Sequence, residues 1–332
     1  MLKSRFFIVL LCITLVVLFG SSLANAKKQI VIRAGTTDAI DHNVTQMMIR
    51  FKELVEERTD GEIKVEVYPS LQLGGTPEQV EAVQLGTQQM FVCTPAWLTR
   101  FVPQMSVLSF PFLFESADTA NALLNGPIGR ELEPYANKAG FTVLGFAHGG
   151  FRQITNNKRP ITCLEDLKGL KIRLQSDPVQ IESMVALGAN SVPMDRGEVF
   201  SALQQGVIDA QDCFVTSVYT EKLYEIQKYM SDVRIFYDSF GIWGNKRFFD
   251  NLSSDHQAIV YQSIKEAMEY QRELAISQER EHGAYLEQKM NVNHVSDEAK
   301  AEMVEKTRGV VNKFNNTIGE DLINKVRELA NY

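Results

Sequence analysis

The chain has 332 residues, with 34 Lys+Arg against 41 Asp+Glu and a formal net charge of −7. That balance excludes the basic surface a nucleic-acid binder needs. The length exceeds the ~250–300 residues at which one hydrophobic core tends to divide, so two lobes are expected.

The first residues read as an export signal. Lys3 and Arg5 precede an apolar run over residues 6–19, broken only by Cys12 and Thr14, and Ala24 and Ala26 form an A-x-A cleavage site. The run is shorter than the ~20 apolar residues of a membrane span. Cys12 follows bulky Leu11 inside it, which does not suit a lipoprotein. Residues 1–26 are expected to be cleaved near Ala26 on the way to the periplasm. That leaves roughly 306 residues with a net charge of about −9. The three remaining cysteines, Cys93, Cys163 and Cys213, are too sparse for a disulfide framework and are expected to be free, with a single Cys163–Cys213 bridge left open.

Residues 30–34 read as a strand. A helix capped by Asp41 follows, with Val44, Met47, Met48, Phe51, Leu54 and Val55 at helical spacing. Gly61 turns the chain into an alternating strand over residues 63–67. Thr76-Pro77-Glu78-Gln79 combines a cap, a proline at the first helical position and a capping box. Gly74-Gly75 before it reads as a plain turn or, alternatively, as backbone facing an anion. Residues 90–93 and 141–146 are further strands.

The alternation continues past the middle. Residues 171–174 form a strand, and Asp177-Pro178 opens a helix that ends near Gly188. A second capping-box start spans residues 195–198, its helix ends before Gly206, and residues 207–210 form a short strand. A long helix runs from Ser254 to about residue 290, and a second helical region begins at Ser296. Strand-helix alternation implies an α/β fold with largely parallel sheets covered by helices. No flexible linker separates two halves, so the chain is expected to cross between lobes more than once, as in a hinged binding protein. The five histidines, His42, His148, His256, His282 and His294, form no H-E-x-x-H motif. G-x-S-x-G, Walker and G-x-G-x-x-G patterns are missing as well, so no cofactor, metal or catalytic centre is implied.

Several blocks occur in a specific order. They are Phe51-Lys52-Glu53-Leu54-Val55-Glu56-Glu57 through Gly61 to Tyr68-Pro69, Gln72-Leu73-Gly74-Gly75, Gln84-Leu85-Gly86-Thr87, and Leu108-Ser109-Phe110-Pro111-Phe112-Leu113-Phe114. Asp166-Leu167-Lys168-Gly169-Leu170-Lys171-Ile172-Arg173 follows, then Val192-Pro193-Met194 and the run from Glu198-Val199-Phe200 to Gly206-Val207-Ile208-Asp209. With these blocks the chain resembles the DctP-type solute-binding proteins of TRAP transporters, the tripartite ATP-independent periplasmic systems.

The resemblance implies a two-lobed periplasmic-binding-protein-like fold with hinge-crossing strands and a long C-terminal helix. Lobe I is expected over 27–150 plus 239–278, and lobe II over 151–238 plus 279–332. It implies that Arg173 grips a ligand carboxylate, a role suited to the rigid guanidinium fork. Arg152 resembles a second pocket arginine, or else forms a structural pair near the hinge. Thr94 and Trp97 correspond to the first lobe's cleft wall, although Trp97 equally suits packing. Glu78 and His42 begin helices facing the cleft, as hydroxyl partners or as cap-region residues.

Two positions depart from the family pattern. Cys213, a poor hydrogen-bond donor, stands where many relatives have an asparagine, with Gln211 and Asp212 beside it to take over part of that work. Arg196 stands where relatives often have an aromatic, either turned to solvent or paired with a ligand or an acid. Arg152, Arg173 and Arg196 together favour a sugar acid such as a uronate, or a short dicarboxylate. The implied partners are this small acid and the integral-membrane TRAP subunits, with the protein acting as a monomer. The alternatives are a ligand-sensing partner of a membrane receptor and, less well supported, a secreted enzyme acting on a small acid.

Overall fold

The computed structural model describes residues 29–332, so the expected export signal at 1–26 lies outside the described residues. In chain order the first half holds β1 (Ile30–Thr36), α1 (Asn43–Arg58), β2 (Ile63–Tyr68), α2 (Thr76–Leu85), β3 (Met90–Cys93), α3 (Ala117–Leu124), α4 (Pro127–Lys138) and β4 (Phe141–Phe151). Next come β5 (Gln153–Asn156), β6 (Lys171–Leu174), α5 (Pro178–Ala186), β7 (Asn190–Pro193), α6 (Arg196–Gln204), β8 (Ala210–Cys213), α7 (Val215–Thr220) and β9 (Tyr229–Asp232). The chain finishes with β10 (Tyr237–Asn245), α8 (Lys246–Asp250), α9 (Ser254–Leu286), β11 (Asn291–His294), α10 (Asp297–Thr307), α11 (Asn315–Ile318) and α12 (Glu320–Ala330).

Two sheets define two lobes. The first has order β2-β1-β3-β10-β4 and the second β11-β9-β5-β8-β6-β7. Within them β1 runs parallel to β2 and β3, and β6 parallel to β7 and β8. The sheets are mixed rather than largely parallel, because β10 enters the first sheet and β5 the second antiparallel to their neighbours. These strands sit next to the lobe crossings. The chain leaves β4 through Arg152 into β5 and returns from β9 through residues 233–236 into β10. The two crossings are tied together where the Arg152 N–H donates to the Phe236 carbonyl at 2.9 Å.

The apolar stripe of α1 folds as its spacing dictates: Val44, Met47, Met48, Phe51 and Val55 are buried against Ile32, Ala34 and Ile63 of β1 and β2. Its cap is His42 rather than Asp41, since the His42 Nδ1 accepts the Val44 N–H at 3.3 Å. The capping boxes expected at Thr76 and Asp195 do not form. Gly75 and Asp195 precede α2 and α6 without a side-chain cap. The strand expected at 207–210 lies three residues later, at β8, because residues 207–209 complete the turn after α6. Gly188 closes α5 at φ +89°, a left-handed conformation that favours glycine and that leads the chain into β7 beside β6.

The 33-residue α9 joins both lobes. Val260, Ile264 and Ala267 pack in the first-lobe core, and Leu286 packs with Leu203, Val218 and Met290 in the second. β11 and α10 belong to the second lobe, where Val295 and Met303 are buried. The tail then returns to the first: Val311, Ile318, Leu322, Ile323 and Val326 share a core with Phe91, Leu98 and Leu132. The partition expected from sequence placed all of 279–332 with lobe II. The amphipathic face of α12 instead covers lobe I. Cys93, Cys163 and Cys213 are all free.

Candidate functional site

The C-terminal ends of parallel strands from both lobes converge on one cavity. Lobe I contributes Thr37 and Asp38 after β1, and Cys93, Thr94 and Trp97 at and after β3. Lobe II contributes Arg173 from β6, Gln175 directly after it, Arg196 from α6 and Phe214 after β8. Arg152 and Phe240 complete it from the crossing segments. Carboxyl ends of parallel strands are where α/β proteins characteristically hold ligands, because connections diverge there. The lobes meet beside this cavity. The Thr94 hydroxyl bonds Gln175 Oε1, and Gln175 Nε2 donates to Asp238 Oδ2 at 2.9 Å. Ser109 Oγ donates to Asp177 Oδ2 at 3.0 Å.

The three arginines differ in how they are neutralised. Arg152 is clamped to Asp212 through Nε to Oδ2 at 2.5 Å and Nη2 to Oδ1 at 3.2 Å, and its Nη1 lies 3.5 Å from Asp238 Oδ2. Its guanidinium also lies 4.9 Å from the Phe214 ring centroid. Burial would lower its pKa, but the adjacent Asp212 more than offsets this and holds it above the usual value. Arg196 pairs with Glu221. Burial again opposes the charge, and Glu221 with Asp38 raises the pKa. The first-turn arginine therefore has an acid partner rather than facing solvent.

Arg173 is 1% exposed and has no such partner. Its Nε and Nη2 donate to the Met194 carbonyl at 2.9 and 2.8 Å, which fixes the plane of the fork. Among the described residues its Nη1 makes no hydrogen bond and no carboxylate forms an ion pair with it. Burial pulls its pKa down to about 10, Asp212 raises it, and Arg196 and Arg152 push it lower. It is still a cation at neutral pH. An anion placed there would gain a charge-assisted bond that the protein itself does not supply.

Thr94, Trp97, Arg152, Arg173 and Arg196 are thus brought together as the sequence suggested. Four other candidates lie elsewhere. His42 lines a neighbouring cavity with Asn43, Gly150 and Glu279, separated from the first by Phe214 and Phe240, whose ring centroids are 5.0 Å apart. Glu78 is exposed on the first turn of α2. Cys213 is packed among Val199, Leu203 and Val218, and burial pushes its thiol up to about 12. Gln211 is buried beside Arg173 in register, with its Nε2 unbonded, and does not line the cavity.

Sequence reasoning missed Asp38, Thr37, Gln175, Phe214 and Phe240. The available signal was position, since each except Phe240 directly follows a strand of the parallel set. Phe240 belongs to a strand with no periodic signature. Among the described residues no group of three or more His, Cys, Asp or Glu could hold a metal, and no helix is long and apolar enough to cross a membrane.

A cation-rich cavity between two α/β lobes is the arrangement of a solute-binding protein. The sequence profile of the bacterial extracellular solute-binding protein family 7, DctP, matches residues 34–317, and the chain belongs to that family. The family consists of solute-binding proteins rather than enzymes. The chain is 35% identical to the 2,3-diketo-L-gulonate-binding periplasmic protein YiaO of Escherichia coli, over 68% of this chain and 69% of that one. Its fold matches the sugar acid binding protein DctPAm of Advenella mimigardefordensis, crystallised with galactonate, at a TM-score of 0.88, with 28% identity over 92% of this chain and 98% of that one. A TRAP periplasmic solute-binding protein of Sulfurospirillum deleyianum with bound succinate matches at 0.85, with 29% identity over 91% and 99% of the two chains.

Proposed function

We propose that this protein captures a small organic carboxylate, a sugar acid such as a uronate or a short dicarboxylate, in the periplasm and delivers it as a monomer to the membrane subunits of a TRAP transporter. The observation that carries this reading is Arg173: a buried guanidinium, oriented by Met194, with its outer nitrogen unbonded and no carboxylate in direct ion-pair contact with it among the described residues. Such a group is costly to bury unless an anion arrives to pair with it. The ligand carboxylate takes that place, Trp97 and Phe214 pack on its carbon skeleton, and Thr94 and Gln175 tie the lobes over it. The galactonate and succinate bound by the structural relatives have the same chemistry. The family's lack of enzymes, and the absence of catalytic motifs in the sequence, support binding without turnover.

Thermal unfolding in the presence of a panel of small acids, neutral sugars and amines tests the reading. A ligand at a hundredfold excess over its Kd stabilises by about 2.7 kcal/mol, which raises Tm by about 5 °C for a chain of this size. Acids are expected to produce that shift. A response confined to neutral sugars or amines contradicts the proposal.

A further inference from the structure

The cavity that Arg173 faces also holds one carboxylate. Asp38, 4% exposed, follows β1 on the opposite lobe. Its Oδ2 accepts from the Thr36 hydroxyl at 3.0 Å, and its Oδ1 makes no hydrogen bond among the described residues. None of the cavity arginines neutralises it by direct contact. Arg152 is paired with Asp212 and Asp238, Arg196 is paired with Glu221, and no ion pair joins Asp38 to either or to Arg173.

The one nearby titratable base is His42, whose Nε2 lies 3.7 Å from Oδ1. Its Nδ1 accepts the Val44 N–H, which puts the ring proton on Nε2. Burial lowers the pKa of this ring below its ordinary value, so the imidazole is neutral at pH 7 and does not form an ion pair with Asp38; Arg196 acts on Asp38 only at longer range. An ionised carboxylate only accepts hydrogen bonds. The cavity therefore has one corner that asks for an anion and another that asks for donors.

We propose that Asp38 is the specificity-determining residue of this cleft: it accepts hydrogen bonds from the hydroxyls of a polyhydroxylated monocarboxylate and repels a second carboxylate, so that sugar acids bind and unsubstituted dicarboxylates are rejected. The inference rests on the reading that Arg173 holds the first carboxylate. A sugar acid matches both corners. Succinate offers two anions and no donor, and like charges brought together in a desolvated site weaken binding strongly. The Phe214 and Phe240 rings beside Asp38 offer apolar faces for the C–H surface of a sugar chain and no further charge.

Isothermal titration at neutral pH with galactonate, glucuronate and succinate tests this, on the natural protein and on Asp38→Asn. Asparagine keeps the size of the side chain and an acceptor for Thr36, but loses the charge and gains a donor. The natural protein is expected to prefer the better of the two sugar acids over succinate by about a hundredfold. In Asp38→Asn that ratio is expected to shrink by about tenfold or more, through weaker sugar-acid and stronger succinate binding. A natural protein that binds succinate as well as either sugar acid overturns the role of Asp38 and leaves the carboxylate reading standing. An unchanged ratio in a folded Asp38→Asn variant does the same. Binding of none of the three acids overturns both. If the variant does not fold, the preference of the natural protein decides.

Discussion

The Arg152 corner of the cavity sits on a lobe crossing and the Arg173 corner on a strand of lobe II; both arginines are buried, yet they solve opposite problems. At the Arg152 corner two aspartates, Asp212 and Asp238, close the fork completely and join the crossing strands. At the Arg173 corner a backbone carbonyl holds the fork still and leaves its outer end open. A buried cation that is already neutralised is a structural element. One that is oriented but unneutralised is a place kept for an anion from outside. On the proposed reading Arg152 serves chiefly to join the crossing strands and Arg173 to receive the ligand, although both arginines line the same pocket.

The largest expected effect comes from breaking the Arg152 corner. Arg152→Met leaves Asp212 and Asp238 buried without their cation, and removing one partner of a buried pair typically costs about 3–5 kcal/mol. Thermal or urea unfolding of the free protein is expected to register a loss of that size. A variant as stable as the natural protein would erase the distinction between the two corners.

A smaller effect comes from Asp177, where the lobes meet outside the cavity. Its carboxylate caps α5 through Val179 and Gln180 and accepts from Ser109. Burial pushes its pKa up to about 7, with the N–H groups of Gln180 and Val179 and the Ser109 hydroxyl pulling the other way. The folded state then holds a proton that the unfolded chain, with a pKa near 3.9, has released. The stability this group contributes is present below about pH 4 and is lost as pH rises through about 7. Asp177→Asn keeps the cap and mimics the protonated form. It is expected to gain on the order of 1–3 kcal/mol over the natural protein between pH 4 and 8. Unfolding curves across that range check this, and parallel pH profiles for the two proteins would contradict it.

How legible each part was follows from its physics. α1 could be read residue by residue because one face meets the sheet and the other meets solvent, which imposes a helical period on Val44, Met47, Phe51 and Val55. β10 could not, because all nine of its residues are buried and its Asp238, Ser239 and Asn245 break any alternation. β5 and β9 are four-residue polar strands whose identity comes from pairing with each other and, for β5, with β8. Arg173 was visible through the block around it, but its lack of a counter-acid depends on where Asp212 and Glu221 point, which no sequence pattern encodes. Asp38 was hidden for the complementary reason: in Thr36-Thr37-Asp38 it reads as an ordinary turn residue, and only the approach of the second lobe makes its charge consequential.

The central claim is that Arg173 is held ready for a carboxylate. Titration calorimetry of Arg173→Lys with the acid that most raises the Tm of the natural protein tests it most directly. Lysine keeps the charge and loses the fork, so it cannot bond Met194 and the ligand together in one plane. Affinity is expected to fall by about a hundredfold or more, while the free variant unfolds within a few degrees of the natural protein. An affinity within about threefold of the natural value, or a loss fully accounted for by an unfolded variant, would contradict the account.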